Sequence, residues 1–362
     1  MKRFVLFSAV ALAVLITSVA YIILNKSRTR GTASAYCVPS IPFSYEPFLP
    51  PEDTTGNYTL FIQMEGDIKI DANGNVFVLD AGNNRIMKYD KNGKFLQQIG
   101  SVGQGPGELL NPINFDIGDD GTIYVWNNGN GRIEIFDRNG VYIHSFKIPF
   151  ASMRCCGMAV DSQGNVYLNS PSADSLITVF SKDGKKIKQF GVIKKYERLL
   201  ETKVFNQGSM CFDKANGYLN FMFVALPLFR RYSKDGKLIL EKTIKGPEIK
   251  EAFKRWRKNK KKQAKFNPQA VSWMRFFLNI DLTSKGDFFA ALGVSKSIYH
   301  FSENANVVER LILEVDDEEF FIAGLAVSSA GKIFVLNPYD NSIQIIQPSI
   351  NQPNHQKEVN KK

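Results

Sequence analysis

Asp71 to Gly93 reads DANGNVFVLDAGNNRIMKYDKNG, and variants of this string return along the chain. Asp119–Gly140 gives DDGTIYVWNNGNGRIEIFDRNG and Asp161–Gly184 gives DSQGNVYLNSPSADSLITVFSKDG. Each copy is a turn, a β-rich run, a polar loop, a second β-rich run and a second turn. A unit of this size cannot bury its own apolar face, so copies must stack on one another. Within the first copy, Val76–Leu79 is a run of β-branched and aromatic residues between Asn73-Gly74 and Gly82-Asn83, which predicts a strand. Ile86–Tyr89 is the next strand. Asn92-Gly93 supplies a tight turn that needs positive φ, Lys94–Ile99 follows as a third strand, and Asp67–Ile70 precedes as a fourth. Four antiparallel strands per copy make a propeller blade.

The first turn glycine recurs at Gly74, Gly121, Gly164, Gly217, Gly286 and Gly331, at spacings of 47, 43, 53, 69 and 45 residues. The second recurs at Gly93, Gly140, Gly184 and Gly236, with Ala305 in the fifth copy. Six copies predict an all-β, six-bladed β-propeller over residues 56–350, with the long spacings as insertions. The sixth copy is short, since Pro348 follows Ile343–Ile346. The β-like run Tyr58–Met64 is expected to complete the last blade and close the ring, which removes an open sheet end.

The copies resemble NHL repeats, in which an inner strand ending in Asp is followed by x-x-G-N-V-Y-V, a polar loop ending in Arg, I-x-x-F-D and x-x-G. The first two copies match, including Arg85 and Arg132; the third has Ser175 at the Arg position, and the last three are degenerate. The run Gly103–Leu109, GQGPGEL, resembles the blade connections of bacterial six-bladed propellers of this kind. The resemblance implies the fold; propellers host many unrelated activities, so it does not fix a function.

Outside the repeats, Phe4–Leu24 is an uncharged run of 21 residues flanked by Lys2, Arg3, Lys26, Arg28 and Arg30. A membrane-spanning helix needs about 20 residues, so residues 1–25 are read as a signal anchor, or alternatively as a cleaved signal peptide. Charge is balanced across the segment and leaves orientation open. An N-terminal hydrophobic segment usually serves export, which favours a propeller outside the cytoplasm, periplasmic or at the cell surface. Residues 26–55, with Pro39, Pro42, Pro47, Pro50 and Pro51, read as a stiff linker, and residues 351–362 as a polar tail. The four cysteines, Cys37, Cys155, Cys156 and Cys211, are too few for a disulfide framework. Burial of the last three as small apolar residues, or a bridge from Cys155 or Cys156 to Cys211, are both open.

Blade topology sorts the loops. With strands a to d running outward from the axis, a–b and c–d turns share one face and b–c loops and d–a connections share the other. Every long segment (100–112, 191–207, 245–275 and 314–320) belongs to the second set, so that face is the candidate binding face. Ile193, Tyr196, Leu199, Leu200 and Val204 recur at helical spacing. Gly246-Pro247 opens a second helical segment, with Glu248 and Glu251 in its first turn, an apolar stripe of Ile249, Ala252, Phe253 and Trp256, and basic residues after it.

The chain carries a formal charge of +11, and eight cationic side chains lie between Lys254 and Lys265. Five more flank the hydrophobic segment and the tail adds a net two, so the propeller body itself is net negative. The binding candidates are Arg255, Trp256, Arg257, Lys258, Lys260, Lys261 and Lys262, with Arg85 and Arg132, whose guanidinium groups could read a carboxylate or phosphate bidentately. The expected partner is a protein, an anionic polymer or lipid head groups, with membrane contact through the N-terminal helix. Nucleic acid is disfavoured because export would separate the two. The acidic run Asp316–Glu319, on the same face, could pair with the basic run or bind a divalent cation.

No catalytic motif, cofactor or metal set is expected. The three histidines, His144, His300 and His355, sit in outer strands or the tail, short of the channel set an amidating-lyase type of propeller needs. A lactonase type would use carboxylates and Asn on inner strands, where Asp67, Asp71, Asn114, Asp116, Asp161 and Asp213 lie. Of these, Asp71, Asp161 and Asp213 stand at turn positions. The reading is therefore a non-catalytic binding or scaffold propeller. A metal-dependent hydrolase or lyase with a site at the central channel, and a nucleic-acid-binding NHL domain, are the alternatives. Plugging of the channel mouth by Phe115, Met158, Met210 or Phe212 would count against the hydrolase or lyase.

Overall fold

The computed structural model describes residues 38–48, 60, 66–149, 157–171, 175–267, 271–313 and 320–348. The chain divides into two compact units, Met1–Pro39 and Ser40–Lys362. Only Val38 and Pro39 of the first are among the described residues, so the Phe4–Leu24 segment lies outside them. Among the described residues no helix is long and apolar enough to cross a membrane.

The second unit is a ring of six blades. Blade 1 comprises strands Ile68–Ile70, Val76–Asp80, Arg85–Tyr89 and Phe95–Ile99, ordered from the axis outward. Blades 2, 3, 4 and 5 repeat this order with inner strands Pro112–Ile117, Met158–Val160, Gly208–Asp213 and Phe277–Leu282. Blade 6 begins with Gly324–Val327, Ile333–Asn337 and Ser342–Pro348. Its outer strand comes from the N-terminal side: Ser40–Pro47 pairs antiparallel with Ser342–Pro348. The same strand pairs parallel with Val307–Leu313 of blade 5. One segment therefore completes the last blade and joins it to its neighbour.

This corrects the closing element. Closure through an N-terminal outer strand holds, but the strand is Ser40–Pro47, within the stretch read as a linker, and not Tyr58–Met64, of which only Leu60 is among the described residues. Ile41 and Phe43 bury between blades 5 and 6, with Leu325, Val335 and Ile346. Pro42 lies where the strand pairs only with blade 5 and Pro47 where it pairs only with Ser342–Pro348, so each missing N–H can face the unpaired side.

Apolar cores lie between the blades and run through the whole ring. One joins blades 1 to 3; others lie between blades 3 and 4, 4 and 5, 5 and 6, and 6 and 1. The alternation of the inner strands builds them. Ile68, Phe115, Met158, Met210, Ile280 and Leu325 occupy equivalent positions, all are buried, and each packs toward the preceding blade.

The closed turns behave as the repeat implies. Asp71 Oδ1 accepts from Asn73 N and Asn75 N at 2.9 Å each, and Asp161 Oδ1 accepts from Gln163 N and Asn165 N in the same way. Gly74 and Gly93 take φ of 81° and 86°. Ala305 holds the corresponding position in blade 5 at φ 54°, which a side chain adopts at a cost.

Candidate functional site

The loops of the other face are where the structure departs from its repeat. Helix α1 spans Leu199–Phe205 and helix α2 spans Pro247–Phe266. The helical spacing from Ile193 overstates the first. Residues 191–196 are irregular, because Asn206 takes the backbone of Lys194 as hydrogen-bond partner through both ends of its amide, at 2.8 Å each. Ile193 and Val204 are buried. Leu199 and Leu200 are instead 69% and 50% exposed, and neighbouring Val192 is 76% exposed.

Helix α2 is two halves of different character. Its first half is bolted to blade 5. Ile249 and Ala252 are buried in the core between blades 4 and 5, and the Phe253 ring lies 4.6 Å from that of Phe276. Glu248 bonds Arg310 at 2.5 Å and accepts from Tyr299 Oη. Trp256 Nε1 donates to Ser272 O at 3.2 Å, Arg255 donates to Val294 O at 3.2 Å, and the Lys260 ammonium sits 5.1 Å from the Trp256 ring. Beyond this point Arg257, Lys258, Asn259, Lys260, Lys261 and Lys262 are all exposed. Six consecutive helical residues cover every side of a helix of 3.6 residues per turn, so the stretch 257–262 is solvated all round. The basic run is thus helical, with a rigid base and a free cationic tip.

Arg85 and Arg132 sit at the starts of the third strands of blades 1 and 2. Arg85 pairs with Asp80 at 2.7 Å and donates to Gln98 at 3.0 Å. Arg132 pairs with buried Glu134 and donates to Gly105 O at 2.5 Å, in the connection between blades 1 and 2. Arg85 braces strands of its own blade, and Arg132 ties blade 2 to the connection before it. Asp316–Glu319, Cys155 and Cys156 lie outside the described residues; Cys211 is a free thiol.

The central channel is the second place where polar chemistry collects. Each inner strand ends in a closed turn whose glycine N–H bonds back to Asp71, Gly118, Asp161, Asp213, Thr283 or Ser328. Two residues before those positions stand Lys69, Asp116, Ala159, Cys211, Asp281 and Ala326; four before stand Asp67, Asn114, Gly157, Ser209, Asn279 and Gly324. Blades three apart carry matching pairs: Asn-x-Asp in blades 2 and 5, Gly-x-Ala in blades 3 and 6, and two polar residues in blades 1 and 4. The sequence alone contains this two-fold pattern, yet it emerges only once the turns are aligned.

These side chains staple the ring at its axis. Asp67, 1% exposed, accepts from Ile68 N at 3.0 Å, from Phe115 N of blade 2 at 3.2 Å and from Lys69 Nζ at 2.8 Å. Asp116 accepts from Ile117 N and from Val160 N of blade 3 at 2.7 Å. Ser209 Oγ accepts from Ile280 N of blade 5, and Asp281 from Val327 N of blade 6 at 2.7 Å. Blades 3 and 4 close instead through backbone, Gly157 N to Gly208 O at 2.7 Å. A Cβ on Gly157 would stand 2.7 Å from that oxygen.

Burial sets the protonation here. It pushes the Asp281 carboxyl up to about 6 against the pull of Lys69 and of the backbone N–H groups of Val327 and Leu282. Burial likewise raises Asp116, against Lys214 and Lys69. For Lys69 burial acts downward, but Asp67, Asp116 and Asp281 outweigh it and hold the ammonium protonated. Cys211 is raised well above the usual thiol range by burial and by Asp281, so it is a thiol and not a nucleophilic thiolate.

Among the described residues no group of three or more His, Cys, Asp and Glu side chains is placed to hold a metal ion. Phe115, Met158, Met210 and Phe212 do not plug the channel; all four are buried in the blade-to-blade cores, on the strand face opposite the stapling side chains. His300 stacks on Phe289 at 4.3 Å and bonds Glu309 at 3.0 Å in the outer part of blade 5.

A family model described as a 6-bladed beta-propeller, DUF5128, matches residues 59–232. Among curated proteins none matches the chain. Solved structures share the fold. A Bacteroides fragilis protein described as exported superposes with a TM-score of 0.56 at 14% identity, covering 88% of this chain and 97% of its own. A streptogramin B lyase gives 0.50 at 14% identity, with 78% of each chain covered. Hydrazine synthase of Kuenenia stuttgartiensis gives 0.51 at 8% identity over 83% of this chain and all of its own. The chain is therefore an all-β propeller of six blades. At these identities the likeness is one of fold.

Proposed function

We propose that this protein is a non-catalytic binding propeller of NHL type, anchored through its N-terminal segment, which takes a protein partner outside the cytoplasm on the face of the long loops. The observation that carries this reading is the tip of α2: a run of cations exposed on all sides, on a base fixed by Glu248, Phe253 and Trp256. The exposed Val192, Leu199 and Leu200 belong to the connection of the neighbouring blade on the same face. A protein with an acidic, partly apolar surface satisfies both features; an anionic polymer would satisfy only the helix. Arg85 and Arg132 are engaged within the ring and support the loops from below. The exported Bacteroides fragilis neighbour agrees with placement outside the cytoplasm.

Photocrosslinking in the host cell tests the proposal. A photoreactive residue at Leu199, Leu200 or Lys261 should give an adduct of one defined mass, and the same residue at Asn92 or Asn139 in the closed turns should give none. Adducts from both faces alike, or from the closed turns alone, would remove the proposal.

A further inference from the structure

Blade 4 contains a buried cation with no carboxylate. Arg231 is 4% exposed, and its guanidinium lies between the rings of Tyr218 and Phe229, at 5.5 and 5.9 Å. Its Nε donates to Asn220 Oδ1 at 2.7 Å. An arginine N–H can only donate, so this bond fixes the amide with its oxygen toward Arg231 and its nitrogen away. Asn220 Nδ2 and Arg231 Nη2 are both buried and without a hydrogen-bond partner among the described residues, and Asn220 is 0% exposed. Cys211, Asn220 and Arg231 lie directly opposite one another on adjacent strands. They therefore share one face of the sheet, with side chains within reach of a common point.

That face is turned to blade 5. Cys211 and Leu240 of the same row pack into the core between blades 4 and 5, and blade 5 presents Phe288, Ala290 and Leu292 there. The nearby acids are otherwise engaged. Glu241 pairs with Arg230, and Asp213 binds its own turn. Asp281 bonds Val327 N of blade 6, and Asp116 bonds Val160 N of blade 3. A buried charge is normally paired, because an isolated one forfeits its hydration. Two orphaned donors on directly opposed residues, one of them on an unpaired guanidinium, are complementary to a negative ion.

We propose that the row Cys211–Asn220–Arg231 holds a small inorganic anion of halide size between blades 4 and 5. Arg231 Nη2 and Asn220 Nδ2 donate to it, and the protonated Cys211 adds a weak S–H donor. Cys211 is partly exposed, so the row reaches solvent at its inner end. The site is independent of the proposed partner face, and so is its test.

The experiment compares thermal unfolding of the full-length protein in bromide and in gluconate at equal ionic strength. Bromide should raise the midpoint saturably, by about 5 °C at a hundredfold excess over its dissociation constant. Arg231→Met should lose this dependence. The replacement removes a buried charge and also the donor to Asn220 Oδ1, so the readout is the bromide shift within each protein and not the ranking of the two. Anomalous diffraction from wild-type crystals grown in bromide should place the halide on Arg231 and Asn220, whether or not the variant folds. An equal bromide shift in wild type and variant, or a bromide map without a peak at this row, would overturn the proposal.

Discussion

The two faces of the ring are built from the same repeat and obey different rules. On the closed face, the six turns that follow the inner strands reuse one arrangement: a backbone bond from each turn glycine and, in most blades, an acceptor side chain at the turn start. On the open face the connections differ in length, fold and charge. One is the GQGPGEL loop under Arg132, another carries α1, and a third carries α2 with its cationic tip. The lesson is a division of labour. Side chains near the axis and in the closed turns hold the ring, so substitutions there should act on stability. Those at the tips of the open face are not needed by the ring, so substitutions there should leave stability and change binding.

The largest expected effect is on the axis. Asp67→Ala removes the acceptor for two backbone N–H groups and strands Lys69, and should cost about 3–5 kcal/mol in chemical denaturation. A loss under about 1 kcal/mol would mean that the channel carboxylates do not staple the blades.

Asp281 sharpens the same point through pH. Its folded carboxyl titrates near about 6, above its ordinary value near 4. The folded state therefore binds a proton more tightly than the unfolded state. This group's contribution to stability is fully present below about pH 4 and is lost as pH rises through about 6. Asp281→Asn, which keeps one acceptor for Val327 N, should flatten the dependence of the denaturation midpoint between those values. A slope unchanged in the variant would place the titration elsewhere.

Much of this was legible before any coordinates. The turn glycines gave the blade number, and the apolar stripe Ile249–Trp256 placed the base of α2 correctly. What escaped had physical reasons. Ser40–Pro47 contains two prolines, which read as linker, but its partners are far along the chain, and each proline lies where the strand is paired on one side only. The channel set escaped because Lys69, Asp116, Cys211 and Asp281 share no residue type. What they share is a place two residues before a turn start. Arg231 escaped because burial of a charge is a tertiary outcome with no local signature.

Smaller effects separate the faces further. Ala305→Gly, in a closed turn at φ 54°, trades relief of that backbone conformation against loss of a methyl buried between blades 4 and 5, and should change stability by less than about 1 kcal/mol. On the open face, Lys258→Gln, Lys261→Gln and Lys262→Gln together should change stability by no more than about 0.5 kcal/mol. The sign should be stabilising, because like charges four apart along a helix repel.

The most direct test of the division between faces is binding. The protein captured by photocrosslinking from Leu199 or Lys261 would be purified and its affinity measured for two charge-matched variants. One carries Lys258→Gln, Lys261→Gln and Lys262→Gln on α2; the other carries Lys91→Gln, Lys182→Gln and Lys234→Gln in the closed turns. The account predicts at least a roughly tenfold loss, about 1.4 kcal/mol, for the α2 variant, together with a weaker salt dependence, and wild-type affinity for the other. Equal affinities of the two variants, or a loss confined to the closed-turn variant, would contradict it.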